Sequence, residues 1–95
     1  MDRKVMKAEE IARRAADLVG GDRARQHGDK HETHRNIARL WSAWLRHPVS
    51  AADVAAMMVL LKLARTKGGS LNTDNFVDMA GYASIMGELA DGADS

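Results

Sequence analysis

The stretch Ser50-Ala51-Ala52-Asp53-Val54-Ala55-Ala56-Met57-Met58-Val59-Leu60-Leu61-Lys62-Leu63-Ala64-Arg65 decides how this chain folds. Ser50 suits a helix N-cap, with Asp53 three residues on as a capping-box partner. Val49 and Val54 stand where a hydrophobic staple forms. From Val54 to Ala64 the only charge is Lys62. A helix apolar on every side is either central to its domain or shared between subunits. A cation on such a helix needs an anionic partner, because an unpaired buried charge is costly or neutralises. Asp74 and Asp78, just downstream in Asp74-Asn75-Phe76-Val77-Asp78, are the candidates.

Outward from this helix the chain reads as three more, punctuated by glycine and proline. Upstream, His31 to Arg46 carries Ile37, Leu40, Trp41, Trp44 and Leu45 at i, i+3, i+4, i+7 and i+8, an amphipathic stripe. Both tryptophans are therefore read as core or interface residues, and His47-Pro48 ends the helix. Earlier still, Lys7 to Val19 places Ile11, Ala15, Leu18 and Val19 on one face, with Arg13, Arg14 and Asp17 off it. Arg14 is read as belonging to the outer face. Gly20-Gly21 stops this helix, and the polar segment Asp22 to Lys30 reads as a loop. Downstream of Gly68-Gly69, a fourth helix runs from Asn72 or Thr73 to about Ala90. Gly81 lies in its interior, where it allows another helix or a ligand to come close. Residues 91–95 read as a frayed tail. The expected fold is thus all-α, a four-helix bundle-like single domain over residues 1–95, with its core at about 7–90.

Size and composition narrow the function. A chain of 95 residues is one domain and is marginally stable alone. With the all-round apolar third helix, that predicts a homo-oligomer built through the second and third helices, using Trp41, Trp44, Met57 and Met58. The absence of cysteine excludes disulfides and thiolate metal sites and fits a reducing cytoplasm. No secretory leader or membrane-spanning run is read from the sequence. Net charge is +1, split as +4 over residues 1–47 and −3 over residues 48–95. The basic front half could attract a phosphate-bearing partner, although most such charges form solvated helix faces. Nucleic acid is not expected, since a basic stripe with high net charge is missing.

Three constellations could carry chemistry. Asp74, Asp78 and Tyr82 fall at i, i+4 and i+8 and share a helix face. Paired carboxylates on a helix can hold Mg²⁺, whose remaining shell is water and substrate phosphate. Alternatively Asp74 only favours the helix dipole and Asp78 pairs with Lys62 or Arg65. Lys62 and Arg65, one turn apart, could grip a phosphate, or Lys62 could snorkel to the surface. Gly21-Asp22-Arg23 and His27-Gly28-Asp29 frame a Gly-flanked polar loop that lacks the P-loop ending. His31-Glu32-Thr33-His34 is one residue short of a zincin motif, so His31 and His34 suggest at most weak metal binding. No serine sits in a nucleophile motif.

The ordered series Gly21-Asp22-Arg23, Gly28-Asp29, Ile37-Ala38-Arg39-Leu40-Trp41-Ser42-Ala43, Asp53-Val54-Ala55, Met57 through Arg65 and Asp74 through Tyr82 resembles a family of small helical domains encoded by tailed phages and prophages. The resemblance covers about residues 8–88. It departs at His27, where that family usually has Tyr, and at Thr33-His34, where it has Asn-Phe. More remotely, Asn75-Phe76-Val77-Asp78 followed by Met79-Ala80-Gly81-Tyr82 is similar to the last core helix of the all-α nucleoside triphosphate pyrophosphohydrolases of the MazG type. The Glu-Glu-x-x-Glu helix of those enzymes is replaced here by the apolar helix bearing Lys62. The residues and the remoter resemblance together give the expectation of a phage-type nucleotide- or phosphate-binding domain, in outline a degenerate MazG-like pyrophosphohydrolase. Lys62, Arg65, Arg23 and Tyr82 would face the ligand, and Asp74 and Asp78 would hold Mg²⁺ or form a polar cluster. Whether such a domain turns its ligand over is left open. The rival expectation is a non-enzymatic anti-defence or interaction protein that binds a host protein or sequesters a signalling nucleotide.

Overall fold

A computed structural model describes residues 5–21, 29–69 and 71–92. Four helices account for most of them: α1 (Ala8–Gly20), α2 (Lys30–Leu45), α3 (Ala51–Arg65) and α4 (Thr73–Asp91). No strand occurs among the described residues. The expected all-α fold is the observed one.

The helix starts follow from local capping. The Ser50 hydroxyl accepts from the Asp53 N–H at 3.0 Å, and the Asp53 carboxylate accepts from the Ser50 N–H at 3.0 Å, a complete capping box. Asp29 caps α2 by accepting from the His31 N–H at 2.9 Å. Asn72 caps α4 by accepting from the Asp74 N–H at 3.0 Å. α2 ends on Arg46, whose φ of 55° lies in the left-handed region that usually falls to glycine. The short turn that follows is tied down by Ser42. Its hydroxyl accepts from the Val49 N–H at 2.8 Å and donates to the Val49 carbonyl at 3.2 Å. α2 and α3 therefore form a helical hairpin.

The centre of the packing is α4. It contacts α3 extensively, α1 next, and α2 least, while α2 leans mainly on α3. The core cluster joins Ala51 and Ala55 of α3 to Ile85 and Leu89 of α4, with Val19, Ala52, Tyr82 and Met86 packed around it. Small residues on α3 let the two helices approach closely, and Val54 and Ala55 are fully buried. Gly81 is buried against α1, where a Cβ would meet Val19 Cγ1 at 3.4 Å and Leu18 Cδ2 at 3.7 Å. The close approach expected at Gly81 is thus made by α1.

The sequence leaves the apolar helix as central or shared between subunits and the tryptophans as core or interface residues, and their exposures within the chain differ. Within the chain α3 is covered on one side: Ala51, Val54 and Ala55 are buried, while Met57, Leu60, Leu61 and Leu63 on its other sides are exposed. Trp44 is not a core residue. It is 86% exposed, and only Trp41 is half-buried. Met58 is half-buried as well. Periodicity places an apolar stripe on a helix but does not say that a neighbour within the same chain covers it.

Candidate functional site

The cation on the apolar helix finds its partner. Lys62 Nζ lies 3.0 Å from Asp78 Oδ2, joining α3 to α4. The Lys62 side chain is 15% exposed and that of Asp78 31%, so the pair is largely shielded from water. Lys62 reaches this position from a helix whose other core-facing residues are apolar or small, and its methylene stem can pack among them. Asp78 stands one turn beyond Asp74, which occupies the capped first turn of α4 and favours the helix dipole there.

Asp78 also lines an open cleft between α1 and α4, of about 370 Å³, with Arg14, Asp17, Leu18, Asp74 and Val77. The cleft therefore has a carboxylate wall and a guanidinium at its edge, with the Lys62–Asp78 pair behind it. Arg14 lies 3.2 Å from Glu10 one turn earlier, an exposed contact that leaves the guanidinium near the cleft. Reading Arg14 as an outer-face residue is corrected here. It is exposed, but it lines the same cleft as the two acids.

The other predicted residues scatter. Tyr82 joins the packing around the core and sets its ring 6.1 Å from that of His34, tilted by 59°. It does not line the cleft. Arg65 is exposed at the end of α3 and is not among the cleft residues. Arg23, His27 and the loop motifs Asp22-Arg23 and His27-Gly28 lie outside the described residues.

A second polar group sits between the start of α2 and the end of α4. His31 Nε2 faces Glu88 Oε1, and Lys30 Nζ lies 3.8 Å from the same oxygen. His34 is buried and pairs through Nδ1 with the Lys30 carbonyl at 2.6 Å. A carbonyl only accepts, so Nδ1 carries the hydrogen. The weak metal site suggested by His31 and His34 is not assembled: among the described residues no group of three or more His, Asp or Glu is gathered to hold a metal ion. At the head of α2, the His31 backbone N–H, bound to Asp29, is the main reason that carboxyl is held below its usual value of 3.8.

Sequence reasoning missed Arg14, Asp17 and Glu88. The first two share the i, i+3 spacing that brings residues onto one helix face, and that was the available signal. Glu88 carried none, since its partners come from a different helix.

These features define a small all-α domain with a shielded ion pair beside a polar interhelical cleft. The chain belongs to the family described as a domain of unknown function (DUF6378), whose model matches residues 10–90. It is similar to the Gene 55 protein of Mycobacterium phage D29, with 42% identity over 79 residues, 83% of this chain and 52% of the relative. It is also similar to the Gene 55 protein of Mycobacterium phage L5, with 41% identity over 76 residues, 79% of this chain and 49% of the relative. The chain thus spans about half the length of these phage relatives. No solved structure matches it. No helix among the described residues is long and apolar enough to cross a membrane.

Proposed function

We propose that this domain binds a nucleotide or related phosphate-bearing small molecule, together with Mg²⁺, in the cleft between α1 and α4. The observation that carries the reading is the meeting of Asp74 and Asp78 at one cleft, with Asp78 held in place by Lys62. Three carboxylates repel a bare phosphate, so the ligand enters with a cation. Mg²⁺ needs only one or two protein carboxylates when substrate phosphate and water complete its shell. Asp74 and Asp78 would be those ligands, and Arg14 supplies the planar cation suited to a phosphate oxygen. The remote likeness of the Asn75-to-Tyr82 segment to the MazG-type last core helix agrees with this reading. Hydrolysis is no part of the proposal, since the glutamate helix of those enzymes has no counterpart here.

The test is a thermal-shift panel of nucleoside triphosphates, cyclic nucleotides and inorganic phosphate, each with and without Mg²⁺. A Mg²⁺-dependent rise in Tm for one nucleotide class, diminished in Arg14→Ala, is the expected result. No shift at millimolar ligand counts against the reading. The expected phosphate grip by Arg65, together with Arg23 and Tyr82, is not needed for it.

A separate observation favours self-association as a second property. Leu40 and Trp44 on α2, and Met57, Leu60, Leu61 and Leu63 on α3, expose more apolar surface than a lone domain of this size normally leaves in water. A homo-oligomer through the α2–α3 hairpin covers it. A host-protein partner, as an anti-defence factor would have, is the competing occupant.

A further inference from the structure

We propose that two copies of this domain pair by exchanging Trp44, the indole of each seating in the apolar groove that Leu60, Leu63 and Ala64 form on the other. The inference rests on the self-association reading above and specifies its contact. Trp44 is the most exposed large apolar side chain of the described residues, at 86%. Tryptophan is among the residues enriched at the energetic anchors of protein interfaces. The groove is an open, almost wholly apolar hollow of about 370 Å³ at the far end of α3, closed at one side by Thr66 and Lys67. It is roomy enough for an indole, and Lys67 stands where its ammonium can lie over the ring face.

Trp44 cannot fill this groove within its own chain. It sits near the C-terminal end of α2, beside the start of α3, because the connection between the helices is short. The groove begins at Leu60, nine residues after the first residue of α3. At the helical rise that is roughly 14 Å up the hairpin. A second hairpin laid antiparallel on the first brings each Trp44 to the other's groove. The contact is made twice by one two-fold axis, which is the closed arrangement most homodimers adopt.

The surface is large enough. The exposed parts of Leu40, Trp44, Met57, Leu60 and Leu63 together amount to roughly 600 Å² per copy, the lower end of the area each partner gives to a specific stable interface. Leu40 and Trp44 are one turn apart on α2, off the side that buries His34 and Ala38. On α3, Met57, Leu60 and Ala64 lie opposite Ala51 and Ala55. With a net charge of only +1, two copies meet without appreciable long-range repulsion.

The experiment is sedimentation equilibrium of the whole chain from 1 to 100 µM, alongside Trp44→Ala and Leu63→Glu. Far-UV circular dichroism checks that each variant remains helical. The parent should show twice its 10.4 kDa mass across the upper range, and both variants should run at the single-chain mass there. A parent that stays monomeric at 100 µM removes self-association and this proposal with it. A dimeric parent whose mass neither variant changes leaves self-association standing and overturns the Trp44 exchange. Loss of the dimer in Trp44→Ala alone overturns the groove assignment.

Discussion

The α3–α4 junction beside the cleft and the outer face of the α2–α3 hairpin break the usual distribution of residues in opposite directions. In the first, charge is drawn inward: Lys62 and Asp78 meet at 3.0 Å with most of their surface covered. In the second, apolar surface is left outside, with Trp44 at 86% and Leu40 at 69% exposure. Both arrangements cost free energy in an isolated chain, and only the first is offset by a contact seen within it. The inward charges are satisfied within the chain. The outward apolar groups have no such partner among the described residues. Internal stability and assembly should therefore be separable by mutation.

The largest effect should come from breaking the ion pair. Asp78→Ala leaves Lys62 without its carboxylate in a mostly shielded position and is expected to cost roughly 2–3 kcal/mol. That is near the lower end for buried pairs, because Asp78 keeps some access to water. Asp74→Ala removes only a first-turn dipole contribution and should cost about 0.5 kcal/mol. Urea unfolding of the two variants measures the difference, and equal midpoints would remove the distinction drawn between the two acids.

Next in size is a gain. Arg46 holds a left-handed conformation at the hairpin joint, which costs a residue with a Cβ about 1 kcal/mol. Arg46→Gly should recover about that amount in the urea midpoint. It should leave the cleft untouched, since the substitution is confined to the end of α2.

A smaller effect is expected on the apolar face. Trp44→Ala, measured at sub-micromolar concentration where copies are apart, should shift stability by less than about 0.5 kcal/mol, as exposed positions usually do. A large loss there would mean that Trp44 is packed within its own chain, and the contrast between the two regions would collapse.

The smallest is a pH effect at the head of the hairpin. Asp29 titrates below its ordinary value because its ionised form accepts the His31 N–H. Its contribution is therefore present above the unfolded carboxyl range and lost as the pH falls below about 4. Asp29→Asn, which still offers an oxygen to that N–H, should flatten the acid limb of stability against pH. An unchanged limb would assign it to other carboxylates.

The comparison also shows what a sequence can and cannot reveal. Ser50 with Asp53 was legible because capping is decided within four residues. The Lys62–Asp78 contact was legible because a lone cation on an apolar helix requires an acid, and only a few acids follow it. Trp44 was legible only as a core or interface residue, because helical spacing is the same whether a stripe is covered by its own chain or by another. Arg14 was not, since a position off the apolar stripe can still face a neighbouring helix across a cleft. Tyr82 followed the correct spacing from Asp78, but the turn of the helix carried it to His34 and the core.

Asp74 offers the most direct test of the cleft, because it lines the site without joining the ion pair. Isothermal titration of the parent and Asp74→Asn with nucleoside triphosphates, with and without Mg²⁺, reads binding apart from folding. The account expects Mg²⁺-dependent binding by the parent and at least a tenfold weaker Kd for the variant, about 1.4 kcal/mol, with its urea midpoint almost unchanged. A parent that takes up no nucleotide at millimolar concentration, or a variant that binds as tightly, would contradict it.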